Sequence, residues 1–202
     1  MSDVEYIKSH LTSHPDFPKK GIVFLDIFPI LRNPLAFETL ITHFVHHITS
    51  NTIASSPSKK IDVVVGLDAR GFLLGPLIAL RLGAAFVPVR KRGKLPGECV
   101  SASYEKEYGT DIFEMQADAI QPGQTVIVID DLIATGMQIT AQLIKKLDLN
   151  VCHTGGSAKA AGELVAKQGG KTIEYLFIIE LTFLKGVTKL DAPSYSIIQS
   201  DD

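Results

Sequence analysis

Apolar residues follow two periods along this chain. Phe37, Leu40, Ile41, Phe44 and Ile48 recur at helical spacing behind Asn33-Pro34, a capping residue followed by proline at the first helical position. They predict an amphipathic helix running to about Ser50. Short continuous apolar runs then take over: Ile61 to Leu67, Ala85 to Val89, Val126 to Ile129 and Tyr175 to Leu181. These runs are strand-length and rich in β-branched residues, so they read as strands buried on both faces. Gly71 to Leu82 lies between the first two and predicts a helix. Asn51 to Lys60, rich in Ser, Pro and Lys, reads as a loop, and the charged stretch Arg90 to Gly109 as a mobile one. Strand and helix in alternation predict an α/β fold, a central parallel sheet flanked by helices, in one domain over residues 1–202.

Composition narrows the partners. At 202 residues the chain can bury a full core, and its net charge of −2 favours neither nucleic acid nor an anionic membrane. Its apolar stretches are too short to predict a membrane-spanning helix, and Met1 to Lys20 lacks the apolar centre of a secretory signal. Cys99 and Cys152 form neither a CxxC pair nor a disulfide framework. Free thiols and a cytoplasmic location are expected.

The chemistry gathers where strands end. Val126-Ile127-Val128-Ile129 leads into Asp130-Asp131-Leu132-Ile133-Ala134-Thr135-Gly136. An open α/β sheet places ligands at the carboxyl ends of its strands. Two acids there suit the vicinal hydroxyls of a ribose, and a small-residue turn lets backbone N–H groups approach a phosphate. The same pair could also be a solvated turn. Gly66-Leu67-Asp68-Ala69-Arg70-Gly71-Phe72 again takes a strand into a helix. Arg70 and the turn amides could grip an anion there, unless the segment is only a capped helix start with a surface arginine. Arg90-Lys91-Arg92-Gly93-Lys94 sets four cations in five residues. With Pro96-Gly97 and Gly109 further on, it suits a lid that closes over a phosphate and excludes water; alone it reads as an exposed basic loop. His43, His46 and His47 share helical spacing, but no acid or cysteine completes a metal set. For them a solvated face is expected.

In this order and spacing, the motifs from Phe17 to about Pro193 resemble those of the adenine phosphoribosyltransferases, in the type I phosphoribosyltransferase family. The resemblance implies a central parallel sheet flanked by helices, with an N-terminal hood and a mobile catalytic lid. It implies purine salvage: the phosphoribosyl group of 5-phosphoribosyl 1-diphosphate (PRPP) passes to adenine, giving AMP and diphosphate. It assigns Asp68, Ala69, Arg70, Arg90, Lys91 and Lys94 to the diphosphate side of PRPP. Asp130, Asp131, Ala134, Thr135, Gly136, Gly156 and Ser157 take the ribose and its phosphate. The catalytic set is Glu107, which handles a proton of the purine ring, Tyr108 in the closed lid, and Arg70. Val23, Phe24 and Leu25 of the hood would bind adenine through backbone groups and ring stacking; the family often carries arginine at the place of Leu25. The oxopurine branch is disfavoured because it usually has an acid where Ala134 stands. Mg²⁺ would ride on substrate oxygens, with no metal site made by the protein alone. A homodimer acting on adenine and PRPP, without nucleic acid or membrane, completes the expectation.

One departure interrupts the pattern. The family's text after Ala134-Thr135-Gly136 resumes at Gly156-Ser157-Ala158, and joining Gly136 to Gly156 restores Ala-Thr-Gly-Gly-Ser. Residues 137–155 are then an insertion, for which Ile139, Leu143, Ile144 and Leu147 have helical spacing, or a retained intron, the favoured reading. Gly136-Met137-Gln138 can be encoded with a GTATG donor, and His153-Thr154-Gly155 with an in-frame AG acceptor. Splitting the loop separates amides that should converge on one anion, whereas closing a longer loop costs only slowly growing entropy. Weak PRPP binding and low activity are expected of the full chain, and restoration on deleting 137–155. Two other classes stay open: a catalytically impaired paralogue serving as a nucleotide-binding or regulatory subunit, and a PRPP-sensing regulator of transcription, which the near-neutral charge does not favour.

Overall fold

The computed structural model describes residues 1–17, 20, 23–56, 58–106, 109–133, 156–184 and 186–200. Helix α1 (Asp3–Ser9) opens on a capping box, in which Ser2 Oγ accepts from the Glu5 N–H and the Glu5 carboxylate accepts from the Ser2 N–H. Strands β1 (Thr12–Pro15) and β2 (Val23–Asp26) pair antiparallel as a small separate sheet. After α2 (Phe28–Arg32) comes the predicted amphipathic helix, α3 (Pro34–His47). Asn33 Oδ1 caps it, accepting from the N–H groups of Leu35 at 3.0 Å and Ala36 at 3.1 Å. Helical structure continues through a π turn at Ile48–Thr52 and a last turn, α4 (Ile53–Ser55), so the loop expected from Asn51 begins later. Ile48 and Thr52 are buried, and their packing carries the helix past its polar sequence.

The main sheet is built from β3 (Val63–Leu67), β4 (Ala85–Lys91), β5 (Cys99–Lys106), β6 (Gly109–Gln116), β7 (Thr125–Ile133), β8 (Lys171–Leu181) and β9 (Ser194–Ser200). Its order is β5-β6-β4-β3-β7-β8-β9. Strands β4, β3, β7, β8 and β9 run parallel, and the hairpin β5–β6 joins antiparallel at the edge of β4. Helix α5 (Gly71–Leu82) connects β3 to β4, and α6 (Gly156–Lys167) precedes β8. Alternation along the strands divides the core. Val64, Ile127 and Ile129 face the cluster that holds Leu40, Phe44 and Leu74; Val63, Val65, Val126 and Val128 face the cluster that holds Ala161 and Leu164.

Three local expectations are corrected. Strand β7 does not stop before the acids; its ladder with β8 continues through Asp130↔Phe177 and Leu132↔Ile179 to Ile133. The charged stretch Arg90 to Gly109 is not a loop throughout, because Cys99–Lys106 forms a strand whose Ala102 is buried opposite Phe113. Strand β9, which the apolar pattern did not show, closes the far edge of the sheet beside β8.

Candidate active site

Chain order reverses at β3, with β4 on one side and β7 on the other. Ligands of open α/β sheets bind at such a switch point, beyond the carboxyl ends of the strands. A cavity of about 290 Å³ opens there, lined by Leu67, Asp68, Ala69, Arg70, Lys91, Lys94, Phe113, Asp130, Asp131 and Ser157. Glycine is what lets the β3–α5 turn come so close to β7. A Cβ on Gly71 would lie 2.6 Å from the carbonyl oxygen of Ile129, a separation no side chain tolerates. The peptide bond between Asp68 and Ala69 in this turn is cis.

Both acids of the pair are about 5% exposed. Asp131 Oδ2 is ion-paired with Arg70 Nε, while Asp131 Oδ1 is buried and accepts no hydrogen bond from the described residues. Asp130 Oδ1 accepts from the backbone N–H of Asp131 at 2.9 Å. Burial pushes the Asp130 carboxyl well above the usual carboxylate range, and the charge of Asp131 pushes it further. Among the described residues the Arg70 guanidinium therefore pairs with Asp131 and not with Asp130, and Asp131 Oδ1 is left for a donor from a ligand. Arg90 stands one step back from the cavity. Its Nε donates to Asp68 Oδ2 at 2.8 Å, its Nη1 donates to the Lys94 carbonyl at 3.2 Å, and its guanidinium lies 5.8 Å from the ring centre of Phe72.

Of the residues singled out in the sequence, Asp68, Ala69, Arg70, Lys91, Lys94, Asp130, Asp131 and Ser157 meet in the cavity. Gly156 starts α6 beside Ser157 and packs against the ring of Tyr104. Val23, Phe24 and Leu25 lie on β2 and do not line the cavity; Val23 is 60% exposed, and Phe24 meets Phe17 edge-on at 5.3 Å. Glu107, Tyr108, Ala134, Thr135, Gly136 and the segment 137–155 with Cys152 lie outside the described residues. Leu67 and Phe113 also line the cavity, though sequence reading did not select them. Leu67 could have been found as the last residue before the anion turn. Phe113 had no local signal, since it reaches the site only by pairing opposite Lys91.

The histidines of α3 correct another expectation. His46 is exposed, but His47 Nε2 bonds Glu174 Oε1 at 3.0 Å and its ring stacks on Tyr195 at 3.6 Å. His43 Nε2 bonds the Tyr195 hydroxyl at 2.7 Å. These two rings pack onto β8 and β9 instead of facing solvent.

A sheet with its switch point, an acid pair and an arginine-bearing turn defines a phosphoribosyl-transferring class, and comparison agrees. The family model described as "Phosphoribosyl transferase domain" matches residues 37–149. Adenine phosphoribosyltransferase of Yarrowia lipolytica is 52% identical over 196 residues, covering 97% of this chain and 95% of that protein. Adenine phosphoribosyltransferase 1 of Saccharomyces cerevisiae is 47% identical, covering 98% and 94%. The crystal structure of the Saccharomyces cerevisiae enzyme, complexed with adenine and an imino-altritol bisphosphate, superposes with a TM-score of 0.82 at 47% identity, covering 96% of this chain and 98% of that one. The chain belongs to the adenine phosphoribosyltransferase family.

Proposed function

We propose that this protein transfers the phosphoribosyl group of PRPP to adenine, producing AMP and diphosphate in purine salvage. The observation that carries the reading is the convergence of Arg70, Asp130, Asp131 and Ser157 on one cavity at the switch point. Asp131 Oδ1, which has no hydrogen-bond partner among the described residues, suits a ribose hydroxyl as donor, while Arg70, Lys91 and Lys94 put positive charge where the diphosphate would leave. In the transfer the C1–oxygen bond breaks with its electron pair going to diphosphate. Adenine N9 then bonds to C1 and gives up its proton. Charge builds on the leaving group and on the ribosyl centre, so preoriented cations and carboxylates lower the barrier without a covalent nucleophile. The resemblance gives the proton to Glu107 and the closed lid to Tyr108, and it gives the adenine to Val23, Phe24 and Leu25.

Mg²⁺ would be carried mainly by the oxygens of PRPP, with Asp130 and Asp131 beside it in the cavity. Bound there, the ion would neutralise diphosphate charge. Cytoplasmic location and a homodimer belong to the same reading. The impaired-paralogue alternative has no support: the relatives above are named as the transferase, and the acid pair and arginine turn are assembled here.

Residues 137–155 are proposed as extra to the catalytic domain, by insertion or intron retention. Supporting this, Ser157 lines the same cavity as Asp130 and Asp131 even though the segment stands between them in sequence. The test is AMP formation from adenine, PRPP and Mg²⁺ by the full chain and by the form lacking 137–155. The deletion is expected to raise kcat/KM about tenfold or more, the size of one well-placed phosphate interaction. Equal activity would mean that the loop re-forms around the segment and that it does not split the phosphate site. No AMP from either folded form would overturn the transferase reading. Transcript sequencing separates intron from insertion.

A further inference from the structure

The hairpin β5–β6 leaves the sheet edge and lies along α6, the helix whose first turn carries Ser157 into the cavity. It is held there at two places. At the C-terminal end of the helix, Lys167 Nζ donates to the Ser101 carbonyl at 2.5 Å. At the N-terminal end, the aromatic ring of Tyr104 sits on Gly156. A Cβ added to that glycine would meet Cε2, Cζ and Cδ2 of Tyr104 before any other atom. Contact is therefore through the ring, and it needs a residue without a side chain beneath it. Tyr104 is opposite Asp111 in the hairpin, and Gly156 is one residue before Ser157.

We propose that Tyr104 is a positioning residue for PRPP binding: its ring on Gly156 fixes the first turn of α6 relative to the β5–β6 hairpin, so that hairpin position and phosphate affinity are coupled. The proposal rests on reading the cavity as the PRPP site. Glycine at 156 then has two separable duties. One is to let backbone N–H groups approach an anion closely, and the other is to leave room for the tyrosine ring. Adding a methyl group should force ring and helix apart, and removing the ring should make that methyl group harmless to the packing.

The test is a double-mutant cycle in the full chain, comprising Tyr104→Ala, Gly156→Ala and both together, with Tyr104→Phe as the conservative control. KM for PRPP, KM for adenine, kcat and the PRPP-dependent rise in melting temperature are measured for each. Tyr104→Phe keeps the ring, and its KM for PRPP should lie closer to that of the unaltered chain than to that of Tyr104→Ala. Tyr104→Ala and Gly156→Ala should each raise KM for PRPP about tenfold while leaving KM for adenine unchanged. The double variant should lose less than the two single losses combined, the non-additivity expected of residues in contact. Additive losses would overturn the proposal by showing that ring and glycine act independently. A fall in kcat and melting temperature without a change in KM for PRPP would also overturn it, leaving Tyr104 a packing residue only. If neither the unaltered chain nor the form lacking 137–155 responds to PRPP in either readout, the reading of the cavity fails and the coupling falls with it. The ligand-free melting temperatures of the four variants then still report whether ring and glycine pack as a pair.

Discussion

Two groups of charge, one half-buried and one buried, lie toward opposite ends of β7 and β8, and they are completed differently. Near the start of β8, Glu174 is enclosed: His47 Nε2 occupies one oxygen at 3.0 Å, and the Thr52 hydroxyl donates to the other. Tyr195 covers the His47 ring and binds His43 through its hydroxyl. Farther along β7, Asp130 and Asp131 are more deeply buried, yet among the described residues Asp131 Oδ1 has no partner, and Asp130 is held well above the usual carboxylate range by burial and by its neighbour's charge. A closed network rewards folding. An open one costs stability until something else supplies the missing donors or cations, and that marks the place where a ligand binds.

Asp131→Asn is the most damaging way to probe this contrast. It removes the charge paired with Arg70 and alters the free acceptor, and it should lower kcat/KM by about two orders of magnitude, the scale of losing one preorganised polar group. A folded variant with near-normal kcat/KM would place the ligand elsewhere. Glu174→Gln should act in the reverse sense. An amide offers one acceptor oxygen where His47 and Thr52 need two, so unfolding in denaturant should show a loss of about 2 kcal/mol. Its kcat/KM should stay within about twofold. An activity loss larger than the stability loss would join the two clusters into one functional unit.

The smallest effect is the most diagnostic. Folded Asp130 holds its proton to higher pH than the unfolded chain does. Above about pH 4, the unfolded carboxylate range, the folded state binds more protons, so stability falls as pH rises through the window up to the raised value. Asp130→Asn has no proton to lose, and its amide oxygen can still accept from the Asp131 N–H. It should melt higher than the unaltered chain at neutral pH, with the gap closing as pH falls toward 4, while losing activity. A gap that stays constant from pH 4 to 8 would show that the buried charge is not the cause.

Much of this was legible along the chain. Asn33-Pro34 announced α3, and the β-branched runs marked β3, β7 and β8 because residues buried on both faces of a sheet have no polar side to show; β4 was visible too, although only Val87 and Val89 of it are buried. Gly71 and Arg70 were visible as an anion turn because the requirement for them is local. The hairpin β5–β6 was not, since its charged residues hide the alternation that buries Ala102 and Phe113. Strand β9 and the partners of His43 and His47 were equally invisible, because hydrophobic period reports that a residue is buried or exposed but never against what.

The sequence by itself determined the parallel α/β core, the gathering of its acids and cations toward the carboxyl ends of the strands, and the family to which they belong. Only the tertiary structure decided that Ser157 lines one cavity with Asp130 although residues 137–155 stand between them in sequence, that Phe113 lines it too, that Tyr104 rests on Gly156, and that, among the described residues, Glu174 has partners for both oxygens while Asp131 has one for only one. Local propensity acts over a few residues, whereas the completion of a buried charge depends on which distant donors the packed sheet brings within hydrogen-bonding reach.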